Sequence, residues 1–185
     1  MRVVLSLIGM ALFCAQAIAD ELDLSFNGDM ARLQYVHAFE ASKLNLDAGV
    51  LYNSDTGNVL DVGVHLADVA SGGTNPLTAG LGARLVYTNG DLSNQDGFAV
   101  PIGGYLRFSP RQFNRIVLEG EIYLAPKVLS IGDMEKYEEY AIRLGYNIMR
   151  DADIYVGARY IKGEYKNALD SRFDTGMHLG VTLRF

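Results

Sequence analysis

From Glu21 to Phe185 apolar and polar positions alternate in segments of about ten residues, separated by turn-forming residues. The last segment is the clearest. Phe173, Thr175, Met177, Leu179, Val181, Leu183 and Phe185 fall on one face, and Arg172, Asp174, Gly176, His178, Gly180, Thr182 and Arg184 on the other. Nine further segments follow the same period of two, which belongs to strands and not to helices. Leu22–Phe26 and Ala31–His37 meet across Asn27-Gly28, a favoured hairpin pair. Then come Leu44–Tyr52, Leu60–Ala67, Leu77–Tyr87, Phe98–Phe108, Arg115–Leu124, Tyr140–Ile148 and Ile154–Lys162. The predicted fold class is all-β: a small antiparallel transmembrane β-barrel of ten strands, with eight as the alternative because the first two segments are short.

The connections fit an up-and-down order with both ends of the barrel domain on the periplasmic side. Arg150-Asp151 and Ser109–Asn114 then fall there as short turns, and Asn53–Asn58, Asn89–Asp96, Ala125–Lys136 and Gly163–Ser171 fall outside. Asp68–Pro76 is a Gly-rich stretch too long for a usual periplasmic turn. Pro101 sits mid-strand, where a closed barrel has no free edge to excuse a missing donor, so a bulge is expected there.

Alternation does not say which face meets lipid, and a soluble barrel would turn its apolar face inward. Three features favour the membrane. The polar face carries Gly49, Gly63, Gly80, Gly82, Gly103, Gly145, Gly157, Gly176 and Gly180, which suit a crowded lumen. The apolar face has no charge over the centre of any long strand. Its aromatics gather near strand ends, at Tyr52, Tyr87, Phe98, Phe108, Tyr140, Tyr160, Phe173 and Phe185, as interfacial girdles do.

Composition adds an address. Arg2, the apolar run Val3–Ala15 and Ala17-Ile18-Ala19 have the form of a cleaved signal peptide over residues 1–19, leaving residues 20–185 as the barrel domain from Asp20. The run is too short to span a bilayer as a helix. Cys14 follows Phe13, where a lipoprotein signal wants a small residue, so it is read as a passive part of the apolar run. It is the chain's one cysteine, so disulfides and thiolate metal sites are excluded after residue 19. The net charge of −6 becomes −7 without Arg2, which excludes nucleic acid as a partner. An alternating final strand ending on Phe185 has the form of an assembly signal. The partners implied are outer-membrane lipid, the barrel-assembly machinery and periplasmic chaperones of a Gram-negative cell.

Tyr137-Glu138-Glu139, Leu144-Gly145-Tyr146 and Ile154–Tyr160, preceded by Leu85–Asn89, Asp96-Gly97-Phe98 and Gly103-Gly104, resemble YfaZ-type outer-membrane proteins. The resemblance covers most of the chain after residue 19. It implies an outer-membrane barrel of undefined activity, and no catalytic residues.

Alternation places ionisable groups of both signs inside. Arg84, Arg107, Arg143, Arg159 and Arg184 face Asp47, Asp61, Glu119, Glu121, Glu139 and Asp174. Arg107 and Arg143 flank Glu119 and Glu121 in strand order and are expected to pair with them. Such a cluster either fills the lumen with salt bridges or forms a charged constriction. His65 and His178 fall on the inward face, and His37 near a strand end. There is no nucleophile elbow and no H-E-x-x-H motif. The run Glu135–Glu139 reads as a solvated loop-to-strand junction without calcium-loop spacing. No cofactor, metal or catalytic residue is predicted. The expected function is a structural or interaction barrel with a filled or narrow polar lumen. The alternatives are a narrow pore for ions or small solutes and an outer-membrane enzyme acting on lipid or peptide.

Overall fold

The structure, a computed structural model, describes residues 20–39, 42–71, 76–90, 95–113, 115–166 and 170–185. The expected signal peptide lies outside the described residues, as do parts of four expected connections, at 72–75, 91–94, 114 and 167–169.

The strands are β1 (Asp20–Phe26), β2 (Met30–Phe39), β3 (Leu44–Asn53), β4 (Gly57–Ser71), β5 (Leu77–Gly90), β6 (Gln95–Ala99), β7 (Ile102–Phe108), β8 (Ile116–Ala125), β9 (Ser130–Gly132), β10 (Met134–Met149), β11 (Ala152–Tyr165) and β12 (Ser171–Arg184). Each pairs antiparallel with its neighbours, β1 pairs with β12, and β4–β5 closes the ring. β6 and β7 are two halves of one stave, and β9 is a short extension beside β6, so the barrel has ten staves. Eight strands are ruled out because β1 and β2 are both fully paired inside the ring. At the seam Asp20 N donates to Phe185 O at 2.9 Å, and Phe185 N to Asp20 O at 3.0 Å. Closure leaves no strand edge, the condition a β-structure must meet in lipid.

Local chemistry sets the tight turns at the end opposite this seam. Asn27 Oδ1 accepts from the backbone N–H groups of Asp29 and Met30, at 3.0 and 2.9 Å. Asn53 repeats the device with Asp55 and Thr56, and Gly57 follows at φ 115°, which an L side chain rarely adopts.

The outward face carries Leu60, Val62, Val64, Leu66, Leu81, Leu118, Ile142, Leu144, Leu179 and their like, all largely exposed. An apolar band continuous around a barrel is far larger than a water-soluble monomer exposes. The band therefore faces lipid, and the soluble-barrel alternative is excluded by the buried polar face.

Three expectations are corrected. The chain is interrupted at Val100-Pro101, but the bulge is not there. The β5 register is unbroken, with Val86 opposite Ala99 and Ala83 opposite Ile102. Arg84 N donates to Pro101 O at 3.0 Å, and proline, lacking an N–H, cannot return the bond. The extra residues lie on the other neighbour. Ile102 faces Leu124 and Ala99 faces Ser130, so three steps on one strand meet six on the next, and a 3₁₀ turn at Lys127–Leu129 takes up the excess. Second, Glu135–Glu139 is not a solvated junction. It belongs to β10, and Glu139 is buried. Third, a register shift of β12 against β11 puts Phe173 inside, fully buried, and leaves Arg172 exposed, the reverse of their alternation in sequence. The long connection after Ala67 is in part strand, since β4 runs on to Ser71.

Candidate functional site in the barrel interior

The interior side chains form three layers along the barrel axis. Farthest from the seam between Asp20 and Phe185, Met30, Leu51, Val59, Val86, Met134, Tyr137, Ile161, Tyr165 and Phe173 pack into one apolar cluster. Each comes from the same end of its strand, so the layer crosses the barrel. The Tyr165 hydroxyl is satisfied by Thr88 Oγ1 at 2.7 Å.

Beneath it lies a charged layer. Arg32 on β2 reaches across the barrel to Glu139 on β10, 2.7 Å, and lies 3.5 Å from Asp61 on β4. Arg84 on β5 contacts Asp47 at 3.0 Å, Glu121 at 3.6 Å and Glu139 at 3.6 Å, with its guanidinium 4.0 Å above the Tyr123 ring. Arg159 lies 3.5 Å from Asp174, and His65 Nδ1 3.1 Å from Asp47. Tyr137 donates to Glu139 at 2.9 Å. Arg32 and Arg84 share Glu139 and each also contacts at least one further carboxylate, which offsets part of the cost of burying their charges.

The third layer is nearest the seam. Arg143 contacts Glu119 at 2.5 Å and Asp23 at 3.1 Å. Arg107 sits 3.4–3.8 Å from Asp153, Glu21 and Glu119. Arg184 contacts Glu21 at 2.9 Å and also pairs with Asp153. Tyr155 and Thr182 both donate to Asp23 at 2.7 Å. His37 is 2.7 Å from Asp20 at the rim. A cavity of about 250 Å³ opens among Glu21, Gln34, His65, Tyr105, Arg107 and Glu121. Exposure falls along the axis. The Arg107, Arg143 and Arg184 side chains are 21–28% exposed, and those of Arg32, Arg84 and Arg159 only 2–6%. Water therefore reaches the interior from the seam end.

Gly49, Gly63, Gly80 and Gly180 are sockets for neighbouring side chains. A Cβ on Gly63 would meet Asp47 at 2.3 Å, one on Gly49 would meet Asp61 at 2.5 Å, and one on Gly180 would meet the Tyr155 ring at 2.2 Å. The space a glycine leaves on one strand is what lets the next strand's large side chain lie flat across the lumen.

Arg84, Arg107, Glu119, Glu121, Glu139, Arg143, Arg159 and Asp174 all face inward as alternation requires. Their pairing meets expectation at Glu119, which lies by both Arg107 and Arg143, and departs from it at Glu121. Arg143 goes to Glu119 and Asp23, while Glu121 goes to Arg84, because β8 and β10 align Glu119 with Arg143 and Glu121 with Ala141. Arg32, Asp23 and Asp153 are central to the network and were not picked out in sequence. Arg32 lies in the weakly alternating Ala31–His37, yet its offset from Leu33 and Tyr35 was signal enough. Among the described residues no group of three or more His, Cys, Asp or Glu side chains could hold a metal ion.

A closed ten-strand barrel with an apolar outer band and an ion-paired interior defines a transmembrane β-barrel of the outer-membrane class. The profile described as "YfaZ precursor" matches residues 1–185, and the chain belongs to the YfaZ family. No curated protein matches it. Similar solved structures include the NanC porin (13% identity, 91% of this chain and 100% of that one, TM-score 0.46) and the KdgM porin (14%, 91% and 99%, 0.45). The outer membrane channel DcaP of Acinetobacter baumannii is similar at 13% identity, 88% of this chain and TM-score 0.41. The chain spans 54% of its length.

Proposed function

We propose that this protein is a non-conducting outer-membrane barrel with a structural or interaction role, exported by cleavage before Asp20, with the seam end in the periplasm and the apolar layer toward the cell exterior. Outer-membrane lipid is its solvent, and the assembly machinery and periplasmic chaperones are its partners during insertion, with Phe185 as part of the assembly signal. The observation that carries the reading is the stack of an apolar layer on a buried ion-paired layer. Ions crossing it would have to displace Phe173, Tyr137 and Met134 and then break the contacts of Arg32 and Arg84. Each desolvated charge pair of this kind costs several kcal/mol to disrupt, roughly 3–5 when one partner is lost.

The runner-up reading is a narrow pore, favoured by the cavity of about 250 Å³ at the seam end. Planar-bilayer recording separates the two. The purified barrel is expected to give no steady conductance. Reproducible open-channel steps from the wild-type protein would establish the pore instead.

A further inference from the structure

The ion pairs of the interior leave over one charge of each sign. Arg107 lies near three carboxylates, but each has a closer cation. Glu119 takes Arg143 at 2.5 Å, Glu21 takes Arg184 at 2.9 Å, and Asp153 also pairs with Arg184. The contacts left to Arg107 are 3.4–3.8 Å long. Glu121 is the opposite case. Its side chain is 9% exposed, and its one ion-pair contact is Arg84 at 3.6 Å, too long for a hydrogen bond. Arg84 is itself committed to Asp47 at 3.0 Å. Glu121 therefore accepts no hydrogen bond among the described residues, although a carboxylate buried to this extent ordinarily has at least one donor.

Both groups line the cavity of about 250 Å³, and they make no ion pair with each other. β7 and β8 align Arg107 with Glu119 and Tyr105 with Glu121. Glu121 is thus two residues farther from the seam than Arg107, about 7 Å along the strand. Arg107 stands toward the mouth, 24% exposed, and Glu121 deeper. Tyr105 would meet Glu121 across the ladder, but its ring fills the space that Gly80 leaves on β5, where a Cβ would meet it at 2.3 Å. The ring also packs edge-on against His65, with centroids 5.4 Å apart. Laid back in this way, it leaves the space beside Glu121 open. A deep acceptor and an outer fork of donors on one wall match a molecule with an ammonium at one end and a carboxylate at the other. The volume is room for roughly eight waters and is below that of drug-sized pockets, so the molecule is small.

We infer that this cavity binds a small zwitterion of the amino-acid or dipeptide class, with its ammonium on Glu121 and its carboxylate on Arg107. This goes beyond the non-conducting reading and does not need it, since a cavity open at the seam end serves a closed barrel and a pore alike.

The test is isothermal titration calorimetry of the folded barrel in detergent micelles, with free alanine and alanyl-alanine as probes. At least one of them binds saturably to the wild type. N-acetylation or C-amidation of that probe weakens binding about tenfold each, the worth of one charge-assisted hydrogen bond. Glu121→Gln weakens the uncapped probe to the same extent and removes the penalty of acetylation. Arg107→Gln does so for the penalty of amidation. Lys127→Ala, at the opposite end of the barrel, leaves binding unchanged. Folding is read from heat-modifiable migration, and the capped probes on the wild type decide the matter if either variant fails to fold. Absence of saturable binding by both probes, capped probes that bind as tightly as uncapped ones, or wild-type binding by the folded Glu121 and Arg107 variants overturns the inference. Because binding is read in micelles, open-channel steps in a planar bilayer would overturn the non-conducting reading and leave this site standing.

Discussion

Arg143 lies between Glu119 and Asp23, and Glu121 lies by Arg84, so neighbouring inward carboxylates on one strand serve different arginines. Replacing Arg143 with Ala leaves Glu119 and Asp23 without their shared cation. The Arg143 side chain is about one-fifth exposed, so water and the remaining Arg107 contact soften the loss to roughly 1–2 kcal/mol, below the range for fully buried pairs. Adding Glu119→Ala should return part of that loss, and adding Glu121→Ala should return none. Urea titrations of the single and double variants in lipid give the two coupling energies. Equal recovery by both carboxylate changes would mean that the charges act as a diffuse field and not as pairs.

At the scale of the strand, the outward face is tested where β8 and β10 run side by side. Leu118 and Leu144 are register partners, both largely exposed on the apolar face. Arginine at either position would sit in hydrocarbon and should cost about 2–4 kcal/mol if the site lies near the bilayer midplane. Folding titrations into vesicles should show that loss for both. Tolerance of arginine at both positions would place lipid on the other face. The same strands show why one expectation about an element failed. Pro101 demanded an irregularity, and sequence placed it at the proline because that is where the donor is missing. The ladder against β5 tolerates one absent bond without slipping, and the adjoining strand, free to loop at its end, absorbs the excess instead.

Across the whole molecule, Arg32 ties β2 to β4 and β10 beneath the apolar layer. Its side chain is 2% exposed, and those of Asp61 and Glu139 are 3% and 1%. Arg32→Ala would leave Asp61 without its cation and Glu139 with only the longer Arg84 contact and the Tyr137 hydroxyl, at a cost of about 3–5 kcal/mol. The expected outcome is a lowered urea midpoint together with intermittent conductance in planar bilayers, because the same contact holds the interior closed and the strands together. A variant that is fully stable and silent would show that the apolar layer alone closes the barrel.

The period of two by itself determined the all-β class and the division of each strand into an apolar and a polar face, because a strand's side chains alternate whatever its neighbours are; assigning the apolar face to lipid took the glycines and aromatics as well, and ring closure decided ten staves over eight. Leu118, Leu144, Arg84, Glu119 and Glu121 were legible in that way. Which interior charges touch was not. That depends on stagger between strands: Glu119 meets Arg143 only because β8 and β10 are offset as they are, and one residue of slip would exchange the faces. The register shift that turned Phe173 inward and Arg172 outward is a property of the β11–β12 pair and leaves no mark in either strand alone. The Arg32–Glu139 contact joins residues 107 apart in sequence, brought together only when the ring closes. Local pattern fixes what each strand shows to lipid, and closure of the barrel decides what its interior charges meet.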